Sequence, residues 1–291
     1  MDISGFIFGI FQSLVIVYDF KPDVVFCKGG YASLPVAVAA WIWRKKIIVH
    51  ESDSIIGLAN RFCTNFAKTV AVGFPIENYP EELRAKMVFT GNPVHRELLT
   101  LRGESKKSIL HLDVKTPTVL ITGGSQGARA INNAVFEALE KILNKYQLIH
   151  QIGSLDYNAA KAKLEALPDK LKKNYQIFEF SSDMPRLMHF ADLVISRAGA
   201  STFSELAVLG KPSILIPLPN SAADHQRRNA KTLEKEGAII LLDQNDLDGN
   251  SLVSKIKKVL ADKKLSKDLS TNISRLAKPK AASEIADLIL S

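Results

Sequence analysis

A chain of 291 residues is long enough for two medium-sized domains, each burying its own core. Hydrophobic residues make up 46% and charged residues 23%, a balance that excludes a disordered or fibrous chain. The net charge of +8 favours anionic partners, but no block of five or six like charges occurs, so no nucleic acid is expected as a partner.

In chain order, the first predicted element is a helix over 4–20. Gly5 to Tyr18 is almost wholly apolar apart from Gln12 and Ser13. It has neither a basic leader nor a small-residue cleavage site, and it falls short of the roughly 20 residues that span a bilayer. A buried or interfacial helix is the expectation. A strand over 23–27 then runs into the turn Lys28-Gly29-Gly30-Tyr31. Further elements are a helix at 33–43, a strand at 46–50, a helix at 56–66, and strands at 69–72 and 87–89. This alternation predicts βαβ units on a parallel sheet. The more polar stretch 97–116 reads as a domain linker. A second series follows, with strands at 117–122, 147–152, 175–180, 192–196, 213–217 and 238–242. Its helices are expected at 127–144, 156–166, 184–190, 201–209, 224–236, 249–261 and 281–290. The fold class is therefore α/β, two Rossmann-like doubly wound domains with a ligand cleft between them at the carboxyl ends of their strands. Cys27 and Cys63 lie in apolar surroundings and read as buried thiols. No CxxC or HExxH spacing is present, so no structural zinc is expected, and no cofactor is expected either.

The richest stretch is Gly123-Gly124-Ser125-Gln126-Gly127-Ala128-Arg129, between the apolar run 117–122 and a helical pattern. A strand, a glycine turn and a helix in that order bring backbone N–H groups and a helix dipole to one point, suited to a nucleotide pyrophosphate. The stretch lacks the G-K-[ST] ending of a P-loop and is not a true G-x-G-x-x-G. Gly29-Gly30-Tyr31 is a second candidate anion loop or a simple tight turn. His50-Glu51-Ser52-Asp53 follows a strand, where such sheets present ligand-binding side chains, and Ser52 or Asp53 equally suits a helix N-cap. Arg197-Ala198-Gly199-Ala200-Ser201-Thr202-Phe203-Ser204-Glu205 combines small residues with hydroxyls at a helix start. Glu205 is placed to accept from ribose hydroxyls or to close a capping box. Gln226 and Asn229 share a helix face that is either ligand-directed or solvated. No G-x-S-x-G elbow supports serine hydrolase chemistry.

Taken together, KPDVVFCKGGYASLPVA, IIVHESDSIIGLANR, VFTGNPVHRELL, VLITGGSQGARAINNAV, FEFSSDMPRLMHFADLVISRAGASTFSELAVLGKPSILIPLP and ADHQRRNAKTLEKEGA, in this order, closely resemble the MurG family of N-acetylglucosamine transferases. The resemblance implies a GT-B fold. It also implies inverting transfer of N-acetylglucosamine from UDP-GlcNAc to lipid I, giving lipid II in peptidoglycan synthesis, without a metal. Residues 1–97 plus 273–291 would form the acceptor and membrane-side domain, and 98–272 the UDP-GlcNAc domain. By position, Ser125, Gln126 and Gly127 would contact the donor phosphates and Ser181 the uracil. Ala200, Ser201, Thr202, Phe203, Ser204 and Glu205 would line sugar and ribose, and Gln226 would contact the sugar. Asp53 stands where many members have a donor-contacting asparagine. His95, followed by Arg96, stands where many have arginine. Gly29, Gly30 and Tyr31 would face the acceptor diphosphate.

The family's first glycine loop, G-G-T-G-G-H, whose histidine is a proposed general base, has no counterpart here. The chain thus reads as an N-terminally incomplete member. The base is unassigned, with His50 or Glu51 as stand-ins. Two alternatives follow: a non-catalytic UDP-sugar-binding module, or half of a split glycosyltransferase whose partner subunit supplies the missing segment. A UDP-GlcNAc epimerase of similar fold is a further rival. Phe6, Phe8 and Phe11, with Trp41, Trp43, Arg44, Lys45 and Lys46, suit an anionic inner-membrane surface, against the plainer reading of a packed helix with solvated cations. The expected location is the cytoplasmic face of the bacterial cell membrane, peripherally bound.

Overall fold

The apolar runs become short parallel strands, and the stretches between them become covering helices. The computed structural model describes residues 3–102, 112–124 and 126–291. It divides into two units, Met1–Val94 with Lys278–Ser291, and His95–Ala277. The first unit contains α1 (Ile3–Phe20), β1 (Val24–Cys27), α2 (Ser33–Ile42), β2 (Lys46–Glu51), α3 (Leu58–Cys63), β3 (Thr69–Val72), α4 (Glu81–Arg84), β4 (Met87–Phe89) and the last helix, α14 (Ala281–Leu290). Its four strands pair in sequence order, all parallel. Cys27 and Cys63 are buried free thiols.

The second unit contains α5 (Arg96–Leu101), β5 (Thr118–Thr122), α6 (Arg129–Leu143), β6 (Gln147–Gln151), α7 (Tyr157–Ala166), α8 (Asp169–Lys172) and β7 (Tyr175–Phe178). It continues through α9 (Met184–Phe190), β8 (Leu193–Ser196), α10 (Ala200–Leu209), β9 (Ser213–Leu215), α11 (His225–Lys235), β10 (Ile240–Leu241), α12 (Gly249–Ala261) and α13 (Lys263–Arg275). Among the described residues the six strands lie in the order β10-β9-β8-β5-β6-β7, all parallel. Every residue of β5 is buried, as a central parallel strand covered on both faces requires. α6 turns Ile131, Ala134, Val135, Ala138, Leu139 and Ile142 into the core, the 3.6-residue stripe of an amphipathic helix.

Three sequence expectations need correction. The stretch 97–116 is not all linker: α5 occupies its start and buries Leu98, and α5 packs on α9 and α10. The helix expected over 56–66 spans only Leu58–Cys63, because the segment before it is held in a loop by the Glu51 carboxylate, which accepts from Asp53 N and Gly57 N. α13 was not expected at all. Its sequence KKLSKDLSTNISR is largely polar, and only Leu265, Leu269 and Ile273 make its apolar stripe. Asp262 caps it by accepting from the amides of Lys264 and Leu265. The helix runs unbroken to Arg275, and the first unit resumes at Lys278 rather than at 273.

Candidate functional site

In the second unit the chain steps outward from β5 to β6 and β7, then returns to β5's other side and steps away through β8, β9 and β10. The connections leaving β5 and β8 therefore diverge at the carboxyl ends of two adjacent strands. That divergence opens the crevice where doubly wound sheets hold their ligands. Register places Thr122, the last residue of β5, beside Gln151 of β6 and Ser196 of β8.

The turn after β5 requires glycine. Gly127 has φ 76°, and a Cβ there would run into the Ile152 carbonyl. The turn delivers the chain to α6, whose N-cap residue Ala128 brings no side-chain acceptor, so no cap side chain engages the amides at the positive end of the helix dipole. Ser125 lies outside the described residues.

A pocket of about 360 Å³ occupies the crevice. Thr122, Gly124 and Gln151 line it, with Phe180, Ser181, Ser182, Met184, Pro185 and Met188 from the segment after β7. Ser196, Arg197, Gly199, Thr202 and Glu205 come from β8 and α10, and His95 completes the lining. Phe180 is 62% exposed, an aromatic face free to stack on a planar ring. Glu205 is half-buried. Burial raises its carboxyl above the ordinary range, and the charge His95 carries when protonated works the other way. His95 caps α5, its Nδ1 accepting from Glu97 N at 3.3 Å, which leaves Nε2–H as the donor of the neutral ring. Arg197 donates to the carbonyls of Ile216 (3.2 Å) and Pro217 (3.3 Å), tying the end of β9 to the pocket wall.

Of the residues expected in the donor site, His95, Ser181, Thr202 and Glu205 meet in this pocket. Gln126 and Gly127 belong to the glycine turn beside it. Arg96 is exposed at the start of α5, and Ser201 is exposed in the first turn of α10. Ala200 is buried at the start of α10. Three side chains are corrected. Phe203 is a core residue, 2% exposed, and Ser204 Oγ donates within α10 to Ala200 O at 3.1 Å, so neither reaches the pocket. Gln226 does not line this pocket; its neighbours Asp224 and Arg227, with Pro217 to Ser221 and 243–245, line a second hollow of about 430 Å³. Gln226 Oε1 accepts from Leu218 N at 2.9 Å. The reading by residue type passed over Thr122, Gln151 and Ser196, and named Arg197 only as the start of a stretch, with no role. Their common signal is position, at or just beyond the carboxyl end of a strand.

The first unit gathers the other expected residues. Gly29 (φ 89°) and Gly30 (φ 80°) form the turn after β1, Tyr31 stands exposed, and a Cβ on Gly29 would press on the Asn60 amide. Asn60 Nδ2 donates to His50 O (3.2 Å) and Glu51 Oε2 (2.8 Å). Glu51, 4% exposed, also accepts from Asp53 N (3.0 Å) and Gly57 N (2.9 Å). His50, 1% exposed, has Nε2 at 3.2 Å from Gly91 O, and burial lowers its pKa. Neither residue presents a base to an incoming acceptor: Glu51 is spent on ordering the 52–57 loop and His50 on the Gly91 turn. Asp53 is half-buried, its carbonyl accepting from Tyr79 Oη at 2.7 Å.

The model of the glycosyltransferase family 28 C-terminal domain matches residues 118–287, and that of the N-terminal domain matches residues 2–72. The chain belongs to glycosyltransferase family 28. A family 28 relative from Listeria welshimeri serovar 6b is named UDP-N-acetylglucosamine--N-acetylmuramyl-(pentapeptide) pyrophosphoryl-undecaprenol N-acetylglucosamine transferase. It is 36% identical over 292 residues, spanning 99% of this chain and 79% of the relative. The crystal structure of Acinetobacter baumannii MurG superposes with a TM-score of 0.78 at 27% identity, covering 97% of this chain and 77% of that one. The UDP-GlcNAc 2-epimerase from Neisseria meningitidis, bound to UDP-GlcNAc, has a TM-score of 0.66 at 15% identity, covering 97% and 80%, and shares the fold alone. The family 28 chain therefore has the two parallel-sheet domains of a GT-B glycosyltransferase.

Proposed function

We propose that this protein transfers N-acetylglucosamine from UDP-GlcNAc to the muramyl sugar of lipid I, forming lipid II, with inversion at the anomeric carbon. The observation that carries the reading is the pocket at the switch point of the second unit. There a glycine turn, a helix start, an exposed aromatic and a half-buried carboxylate converge in a family 28 chain. The arrangement suits a nucleoside diphosphate: Phe180 and Ser181 at the base, Glu205 accepting from ribose hydroxyls, and the 123–128 turn at the diphosphate.

The acceptor hydroxyl attacks the anomeric carbon while the sugar's bond to UDP breaks, through an oxocarbenium-like transition state. Negative charge grows on the departing diphosphate. The turn amides, the α6 dipole and His95 Nε2–H, with Arg96 adjacent in sequence, oppose that charge most strongly when it is fully developed. The hydroxyl's proton passes to a base other than His50 and Glu51. In the first unit, Gly29, Gly30 and Tyr31 are assigned to the acceptor diphosphate.

A lipid-linked acceptor calls for membrane contact. No helix among the described residues is long and apolar enough to cross a membrane. α1 instead exposes Ile7, Phe8, Phe11, Val15 and Ile16, near Trp43, whose Nε1 donates to Leu14 O. With Phe6, Trp41, Arg44 and Lys45 this surface is assigned to the anionic cytoplasmic face of the membrane. Lys46 is withdrawn from that set, because its Nζ donates to the carbonyls of Leu288 (2.8 Å) and Ile289 (3.3 Å) at the end of α14. The direct test is incubation with radiolabelled UDP-GlcNAc and a lipid I analogue. Label in a lipid II product is expected, and UDP release without labelled lipid would contradict the assignment.

A further inference from the structure

A glutamine at the buried end of a parallel strand is costly unless its amide is satisfied on both sides. Gln151 closes β6, 4% exposed, between Thr122 of β5 and Phe178 of β7. Its Nε2 donates to Gly124 O at 3.1 Å and Thr122 Oγ1 at 3.3 Å, and its Oε1 accepts from Ser181 N at 3.0 Å. Thr122 Oγ1 also accepts from Gly124 N at 3.2 Å. One side chain thus joins two loops that share no strand pairing: the glycine turn after β5 and the segment after β7. Both loops line the same pocket. The bonds use the donor and the acceptor ends of the amide in opposite directions. A carboxylate would place an acceptor against the Gly124 carbonyl, and an aliphatic chain would leave Ser181 N and Gly124 O without this partner.

We infer that Gln151 is a positioning residue that fixes the spacing between the diphosphate-facing turn and the base-facing loop, so that a nucleoside diphosphate meets both at once. The inference rests on the reading of this pocket as the UDP-GlcNAc site. A ligand that uses one loop is nearly indifferent to the spacing. A ligand that bridges both loops depends on it, because preorganised walls spare the bound state the ordering that loose ones require.

The test compares UDP, which reaches both loops, with uridine, which reaches only the base-facing one. Affinities are measured by calorimetry, with uridine competed against UDP. Gln151→Met keeps the volume and charge and removes all three bonds. UDP affinity is expected to fall at least tenfold while uridine affinity changes less than threefold. Thr122→Val, which removes the hydroxyl shared by Gln151 Nε2 and Gly124 N, is expected to shift the UDP-to-uridine ratio in the same direction and serves if the first variant does not fold. An unchanged ratio, or equal losses for both ligands, would overturn the positioning role. Failure of the unaltered protein to bind UDP would overturn the reading of the pocket itself.

Discussion

His150 has its Nδ1 3.1 Å from Tyr175 Oη and its Nε2 3.1 Å from Asn132 Oδ1, with no exposure to solvent. Asn132 Nδ2 donates to Ile152 O and Asp156 Oδ2, so Asn132 Oδ1 must accept. The proton of His150 therefore sits on Nε2, and Nδ1 accepts from the tyrosine hydroxyl. Burial pushes the imidazole down from 6.5 to about 3, the nearby Asp156 charge opposing only weakly. The unfolded imidazole takes up a proton below about 6.5 and the folded one does not until about 3. Stability is therefore full above that window and falls as pH drops through it, by about 1.4 kcal/mol per pH unit. Urea unfolding should show the protein about 1 kcal/mol less stable at pH 5.5 than at pH 7.5 from this residue. In His150→Gln that part of the pH dependence should vanish, and an undiminished dependence in the variant would refute the assignment. Residue type alone located such groups poorly. His50 and Glu51 close β2, at the strand end where ligand residues sit, yet their surroundings make them structural. Gln151 drew no notice because a glutamine in a sequence carries no mark of burial.

Elements with a broad apolar stripe were legible, and those held by other means were not. α6 shows its stripe plainly, whereas α5 and α13 depend on one to three buried side chains and a cap. α1 was legible as a helix, and its wide exposed apolar surface is the feature that packing alone does not explain. Phe8 and Phe11 are 63% and 64% exposed, so replacing both with serine should leave the fold intact. Inserting two phenylalanines into lipid is worth about 3 kcal/mol or more. Phe8→Ser/Phe11→Ser should therefore lower partitioning onto phosphatidylglycerol vesicles by at least tenfold in flotation, at unchanged circular dichroism. Equal partitioning of variant and parent would remove α1 from the membrane surface.

At the scale of the molecule, alternation of apolar runs and helical stretches disclosed two parallel α/β domains, because each run is continuous and each crossover long enough for a helix. Strand order was not disclosed, since residues 122, 151 and 196 become neighbours only through pairing. Hence the glycine turn and Glu205 could be named singly, while the pocket that unites them with Gln151, Phe180 and Arg197 required the sheet. Everything proposed for catalysis requires that this switch-point pocket hold the uridine diphosphate of the donor. A crystal structure of the protein soaked with UDP tests it most directly. The diphosphate is expected at the 123–128 turn, the ribose hydroxyls on the Glu205 carboxylate and the uracil against Phe180 and Ser181. Density for UDP elsewhere, or an empty pocket at saturating nucleotide, would contradict it.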